Sequence, residues 1–105
     1  MRGTYPLVSY MGISMLLLVD DDADIRDSLS EYLEANGFEV EPVADGELAL
    51  NAARAFAPDL VIMDIQLPNI SGMDLIVAFK KDASLVDTPI LAVTAYAGKG
   101  DEDRI

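Results

Sequence analysis

Polar residues able to do chemistry follow directly after three apolar runs in this sequence. The runs end at residues 19, 63 and 93, and the residues that come next are Asp20, Asp21 and Asp22, then Asp64, then Thr94. Carboxylate oxygens are hard ligands that suit Mg²⁺ or Ca²⁺. A carboxylate beside such a cation can also act as a nucleophile toward phosphorus. These residue types therefore point to a divalent cation and to phosphoryl transfer, which needs positioning and neutralised charge more than acid–base groups.

The composition excludes several other chemistries. The 105-residue chain contains no cysteine and no histidine, which rules out disulfides, thiolate or imidazole metal sites and a Ser-His-Asp triad. Nineteen acidic residues against seven basic ones give a net charge of −12, which disfavours nucleic acid and anionic lipid and favours cations or a basic partner. No apolar run approaches the roughly 18 residues of a membrane span. We therefore expect a cytoplasmic protein that binds neither nucleic acid nor membrane.

Apolar runs and amphipathic segments alternate along the chain, and this order predicts the fold. The predicted strands are Met15–Val19, 38–43, 60–63 and Ile90–Val93, each followed by a helical pattern. Such an order is typical of an α/β fold with a doubly wound parallel sheet covered on both faces. Sites in these sheets form beyond the carboxyl ends of the strands, so the polar residues there are expected to meet in one crevice. We interpret 15–105 as the domain and 1–14 as a leader or an appended extension.

The helical patterns also predict caps and apolar faces. Asp22 is expected to cap the first helix, and Gly37 is expected to end it. A third helix is expected at about 73–82, and residues 98–105 are expected to begin a fourth. The residues predicted to share apolar faces are Ile25, Leu29, Tyr32 and Leu33 in the first helix, Leu48, Ala52 and Phe56 in the second, and Met73, Ile76, Val77 and Lys80 in the third.

The first acidic group has three other interpretations. Asp20, Asp22, Asp24 and Glu31 fall at positions 1, 3, 5 and 12 of a calcium-binding loop, but position 6 is an isoleucine where that loop needs glycine. The pair Asp20 and Asp22 after an apolar strand also resembles the haloacid-dehalogenase phosphatases, whose chains are normally longer. A plain helix start favours acids and explains Asp22 and Asp24. It does not explain Asp20 and Asp21 at the end of a buried strand, where unpaired carboxylates are costly.

Three segments together resemble the receiver domain of two-component response regulators. They are LLLVDDD at 16–22, VIMDIQLPNISG at 61–72 and PILAVTA at 89–95. The spacing agrees as well, because Asp64 follows Asp21 by 43 residues and Thr94 follows Asp64 by 30, as is typical of receivers. Within the family the chain is most similar to DivK-type single-domain regulators and to receivers fused to hybrid kinases. The resemblance implies a flavodoxin-like fold with strand order 2-1-3-4.

The resemblance also implies a role for each site residue. Asp64 would accept a phosphoryl group from a histidine kinase or a histidine phosphotransfer protein. Thr94 would contact that group and act as the switch, beside the small residue Ala95. The residues that would hold Mg²⁺ are Asp20, Asp21, Asp64 and the backbone carbonyl of Gln66. The chain would then be a phosphorelay switch for a downstream protein, catalysing only its own phosphorylation and dephosphorylation and turning over no other substrate.

One departure from the family pattern concerns the end of the sequence. Receivers carry a fifth strand with a lysine, and our interpretation is that this sequence stops before that strand; Lys99 would be a poor substitute. Without a fifth strand, Ile90–Val93 would be a sheet edge, which is a pairing hazard. We therefore predict either self-association through this strand or its coverage by residues 5–10. A second hypothesis is a receiver-like binding module that no longer cycles phosphate.

Overall fold

Alternating strands and helices form a parallel sheet, as the sequence pattern predicts. The computed structural model describes residues 12–68 and 70–93. The elements in chain order are β1 (Met15–Val19), α1 (Ala23–Ala35), β2 (Glu39–Val43), α2 (Gly46–Phe56), β3 (Leu60–Asp64), α3 (Gly72–Lys81) and β4 (Ile90–Val93). The four described strands are parallel in the order β2-β1-β3-β4. The predicted fold class and strand order are thus confirmed, whereas the helix predicted at 98–105 lies outside the described residues.

The two central strands, β1 and β3, are apolar because helices cover both faces of the sheet. Toward α2 and α3 the core contains Leu17, Val19, Val61, Met63, Ala49, Ala53, Leu75 and Phe79. Toward α1 it contains Leu16, Leu18, Val40 and Ile62, against which Leu29 and Leu33 pack. The register aligns Val19 with Met63. The residues that follow these two, Asp20 and Asp64, therefore lie at the same edge of the sheet.

Helix α2 faces the sheet with only part of the predicted set, since Ala52 packs against the core as expected but Leu48 does not. Leu48 was expected on the inner face, but its exposed fraction is 58%, and the buried side chains are Ala49 and Ala53. Apolar residues surround most of this helix, so periodicity alone does not select its inner face. The two alanines lie one turn apart, and their small side chains let the helix backbone approach the sheet closely.

The apolar faces predicted for α3 and α1 are correct in part, because Ile76, Leu29 and Leu33 pack against the core as expected. Met73 and Val77 are exposed, at 59% and 50%, while Leu75 and Phe79 enter the core. Tyr32 of α1 was placed on the core stripe but lies largely in solvent. Packing of each helix against the sheet selects which of its apolar residues are buried.

No helix among residues 12–68 and 70–93 is long and apolar enough to cross a membrane.

Asp59 fastens the start of β1 to the start of β3. Its Oδ2 accepts hydrogen bonds from the backbone N–H groups of Ser14 and Met15, at 2.9 and 3.0 Å. Its own N–H donates to the Met15 carbonyl at 2.7 Å. The bonds from Ser14 and Met15 favour the ionised carboxylate and lower the pKa of Asp59 below its usual range. Ser14, which the sequence assigned to the leader, therefore contacts the base of the sheet.

Replacing Asp59 with Asn is expected to lower the free energy of unfolding by about 0.5–1 kcal/mol at neutral pH, since the site is only half-buried and partly screened. Because the folded-state pKa is lowered, the ionised carboxylate contributes stability above about pH 4, and that contribution disappears as the pH falls through the folded-state value. Urea unfolding from pH 2 to 7 measures this. Asp87→Asn is the control, because Asp87 is exposed and makes no hydrogen bond among the described residues. A gap between Asp59→Asn and wild type that stays constant with pH would contradict the assignment.

The two edges of the described sheet differ in character. The outer strand β2 carries Glu39, Glu41 and Pro42, which discourage pairing with another chain. The other outer strand, β4, is entirely apolar, and its Leu91 and Val93 are exposed. No described segment pairs with its outer edge, and residues 5–10, one predicted cover, lie outside the described part. Self-association through β4 and coverage by residues 5–10 both stay predictions.

We expect the 105-residue chain to self-associate in sedimentation experiments as its concentration rises. The carbonyls of Pro89 and Val93 point toward β3, where they accept hydrogen bonds from Val61 and Ile65. Strand geometry then directs the N–H of Ala92 outward. Ala92→Pro removes an outward donor and is expected to shift the chain toward monomer, whereas Ala92→Ser is not. A wild-type chain that stays monomeric at every concentration would contradict this prediction.

Candidate metal centre

Three carboxylates converge beyond the carboxyl ends of β1 and β3. Asp20, Asp21 and Asp64 each offer an oxygen, and these oxygens lie within 4.8 Å of one another. We refer to these three residues as the acidic cluster. Asp20 and Asp64 are 4% and 6% exposed, whereas Asp21 faces solvent. The cluster is therefore sheltered on the sheet side and open toward the outside.

In the turn after β1, Asp22 has a structural role, whereas Asp20 and Asp21 belong to the acidic cluster. The Asp20 N–H donates to the Val43 carbonyl at 3.0 Å, which extends the pairing of β1 with β2 by one residue. Asp22 caps α1 as predicted, because its Oδ1 accepts the N–H groups of Asp24 and Ile25 at 2.9 and 3.1 Å. The plain helix start thus accounts for Asp22 and for Asp24 in the first turn, but not for Asp20 and Asp21. A calcium-binding loop is excluded, because α1 begins at residue 23, position 4 of that loop, and runs through its last nine positions.

The turn after β3 orients the Asp64 carboxylate. The Ile65 N–H donates to the Val93 carbonyl at 3.0 Å, and the Gln66 N–H donates to Asp64 Oδ1 at 2.8 Å. Among the described residues no donor contacts the second oxygen, Oδ2. Gln66 thus contacts the site through its backbone N–H. The predicted binding of a metal ion by its backbone carbonyl stays a prediction. One oxygen of Asp64 is fixed, and the other is available for chemistry.

Gly72 sets the position of this turn, a role that its place at the end of the segment 61–72 did not reveal. A Cβ at Gly72 would lie 2.3 Å from the Cα of Ile65, and the Gly72 N–H donates to the Ile65 carbonyl at 3.2 Å. The first turn of α3 therefore lies directly against the backbone that follows Asp64. A glycine at the start of a helix, soon after the aspartate, was the available signal.

Gly72→Ala is expected to displace Ile65 and with it the Asp64–Gln66 turn. We expect unfolding to become easier by about 2 kcal/mol, as in other overpacked sites, and Mg²⁺ binding to weaken. Thermal unfolding without metal and calorimetric Mg²⁺ titration measure the two effects. Gly12→Ala is the control, because Gly12 has a φ of +68° and open space around it. It should cost stability without changing Mg²⁺ affinity, and equal Mg²⁺ affinities for all three proteins would refute the positional role of Gly72.

Burial and mutual repulsion both act on the cluster. Burial raises the pKa of Asp20, and the charges of Asp64, Asp21 and Asp22 raise it further. The N–H of Asp22, which donates to Asp20 Oδ1 at 2.9 Å, opposes this rise. Ionised carboxylates this close together are stabilised by a cation between them. The electrostatics therefore favour occupancy of the cluster by a positive ion.

No basic side chain in the described part of the chain forms an ion pair with the cluster. The one ion pair found there joins Arg54 Nε to Asp82 at 2.7 Å, outside the cluster. Three carboxylates without imidazole or thiolate form a hard donor set, which fits Mg²⁺ and leaves positions for water and phosphate oxygens. The donor chemistry thus fits the metal that the sequence led us to expect.

The chain leaves the described region beside the cluster. Val93 is aligned with Asp64 across the β3–β4 pair, and Thr94 and Ala95 follow it in sequence. Thr94 and Ala95, like Lys99, lie outside the described residues. Their predicted roles therefore stay predictions.

A shallow groove lies along one side of α1, whose first turn adjoins the acidic cluster. It has a volume of about 410 Å³ and is lined by Asp24, Ile25, Ser28, Leu29 and Tyr32. The exposed ring of Tyr32 and the neighbouring acid make this surface both apolar and negatively charged. It is suited to contact with another protein.

Residues 16–104 match the family described as the response regulator receiver domain. The chain belongs to this family, as the motifs had indicated. Receivers are signalling modules of response regulators rather than turnover enzymes.

Individual relatives agree with this assignment. The chain is 40% identical over 92 residues to the polar-differentiation response regulators DivK of Brucella anthropi and Brucella ovis, covering 88% of this chain and 74% of each relative. It is similar in structure to the chemotaxis response regulator CheY4 of Vibrio cholerae, with a TM-score of 0.73, 32% identity and coverage of 88% and 79% of the two chains. The non-phosphorylated HemR receiver domain of Leptospira biflexa gives a TM-score of 0.72 at 36% identity, with coverage of 87% and 72%. The predicted similarity to DivK-type regulators is confirmed.

Proposed function

We propose that this chain is a phosphoacceptor switch of a two-component phosphorelay. Asp64 accepts a phosphoryl group from a histidine kinase or a histidine phosphotransfer protein, with Mg²⁺ held by the acidic cluster. The observation that carries the proposal is the approach of three carboxylate oxygens to within 4.8 Å of one another. An isolated aspartate would lack the cation that phosphoryl transfer requires.

The chemistry assigns a different task to each member of the cluster. The free oxygen of Asp64 attacks phosphorus, a P–O bond forms, the P–N bond of the phosphohistidine breaks, and the imidazole leaves with the electron pair. Asp20 and Asp21 hold Mg²⁺ together with Asp64 and the Gln66 carbonyl, and Mg²⁺ when bound neutralises charge on the phosphoryl oxygens. The Gln66 N–H keeps Oδ1 of Asp64 in place, which leaves Oδ2 to react.

The position of Asp64 between two strands supports a switching role. Asp20 lies on its β1 side, and the end of β4 lies on its other side. Thr94, next along the chain, contacts the phosphoryl group in this proposal, and the small Ala95 leaves room for it. A new dianion at Asp64 would draw the Thr94 hydroxyl toward it and so change the surface that follows.

The surface charge favours a protein partner, and the proposed compartment is the cytoplasm. A net charge of −12 disfavours direct contact with nucleic acid or anionic lipid. A donor must approach from the carboxyl ends of the strands, where the groove on α1 provides apolar contact area. The phosphorylated surface would then act through a downstream protein target.

Intact-protein mass spectrometry after incubation with acetyl phosphate and Mg²⁺ tests the proposal. We expect a single phosphoryl adduct that needs Mg²⁺ and disappears when the metal is chelated. A folded, Mg²⁺-binding chain without an adduct would refute the proposal in favour of a binding module that does not cycle phosphate. Continuous release of phosphate without any adduct would favour a phosphatase instead.

A further inference from the structure

Arg26 connects the first turn of α1 to the acidic cluster through the backbone. Its Nη1 donates a hydrogen bond to the Asp20 carbonyl oxygen at 2.8 Å. Its own N–H donates to the Asp22 carbonyl at 2.9 Å as part of the helix start. The side chain is half-buried, so part of its stem packs while the guanidinium reaches back over the turn.

The bonded carbonyl belongs to the peptide that joins two cluster residues, Asp20 and Asp21. This peptide is planar, so fixing its carbonyl also fixes the direction in which the chain enters Asp21. On the near side the Asp20 N–H is already held by Val43, and on the far side the Asp22 N–H is held by Asp20 Oδ1. Arg26 supplies the remaining restraint at the centre of the turn.

The choice of acceptor matters for metal binding. A guanidinium paired with a cluster carboxylate would occupy oxygens that a metal ion needs. Arg26 instead binds a carbonyl, and it forms no ion pair with a described residue. The ligand oxygens therefore stay available while a charge-assisted hydrogen bond holds the turn.

We infer that Arg26 is a positioning residue for the divalent cation, acting through the Asp20–Asp21 peptide and not through contact with the phosphoryl group. The inference rests on the proposed function only in that the acidic cluster binds Mg²⁺. It assigns to Arg26 an effect on metal affinity that is separate from the rate of phosphoryl transfer.

Three variants test this inference. Arg26→Met keeps an aliphatic stem without a donor, and Arg26→Lys keeps a charge and a donor. Arg54→Met is the matched control, since Arg54 also lies on a helix but pairs with Asp82. For each protein we would measure Mg²⁺ affinity by calorimetry, thermal unfolding with chelator, and the labelling rate with acetyl phosphate at saturating Mg²⁺.

Arg26→Met is expected to weaken Mg²⁺ binding about tenfold, the loss typical of one hydrogen bond to a charged group. Its labelling rate should return to the wild-type value once Mg²⁺ saturates. Arg26→Lys should restore part of the affinity, and Arg54→Met should bind Mg²⁺ as the wild type does.

Other outcomes would overturn the inference. Unchanged Mg²⁺ affinity in Arg26→Met would show that the turn does not need the bond, even if the metal-free protein unfolds more easily. Slow labelling at saturating Mg²⁺ would instead show direct contact with the phosphoryl donor. A wild type that binds Mg²⁺ but is never labelled would refute the proposed function while leaving the calorimetric test of Arg26 intact.

Discussion

Asp64→Asn is expected to reduce covalent labelling by acetyl phosphate by roughly a thousandfold or more, as removal of a nucleophile does elsewhere. The amide keeps the shape of the side chain and can still accept the Gln66 N–H bond. It replaces the nucleophilic carboxylate with a group that does not attack phosphorus. Intact-protein mass spectrometry over a time course measures the loss.

The stability of the metal-free Asp64→Asn variant shows whether the substitution disturbs the fold. Removing one of three mutually repelling carboxylates should leave the metal-free protein at least as stable as the wild type. Asp74→Asn is a matched substitution at an exposed position in the first turn of α3 and should label normally. Labelling of Asp64→Asn at an unchanged rate would mean that another carboxylate is the acceptor.

Asp21→Ala is expected to produce the second large effect, a loss of Mg²⁺ affinity of about a hundredfold and of Mg²⁺-dependent labelling. Asp21 is exposed and its side chain accepts no hydrogen bond from a described residue, so its removal takes away a ligand and little else. Asp20 is a less direct choice, because its carboxylate also accepts the Asp22 N–H. Calorimetric Mg²⁺ titration measures the change.

Asp24→Ala provides the comparison for Asp21→Ala. Asp24 is an exposed aspartate three residues further on, in the first turn of α1, but it lies outside the acidic cluster. Its loss should leave Mg²⁺ affinity within about twofold, because exposed charges interact weakly through water. If Asp21→Ala and Asp24→Ala bind Mg²⁺ equally, Asp21 is not a ligand.

Much of the fold and the gathering of acids followed from local sequence patterns. Short apolar runs that alternate with amphipathic helical segments are typical of strands buried on both faces of a parallel sheet. In a parallel sheet these ends lie together, so Asp20 and Asp64 were expected to be neighbours without any coordinates. Asp22 was identified as a cap by the same local reasoning.

The helix rotations did not follow from sequence in the same way. Apolar residues occur around most of α2 and α3, so several faces satisfied the helical period equally well. Contact with the sheet selected Ala49 over Leu48 and Phe79 over Val77, because packing depends on shape and on the distance between backbones.

By itself, the sequence determined the strand and helix order, the family and the set of carboxylates available for a metal. Only the tertiary structure showed how that set is held. The Arg26 bond to the Asp20 carbonyl and the contact of Gly72 with Ile65 join residues six and seven positions apart across turns. Such contacts depend on the angles at which α1 and α3 leave the sheet, and no periodic pattern of residue types encodes those angles.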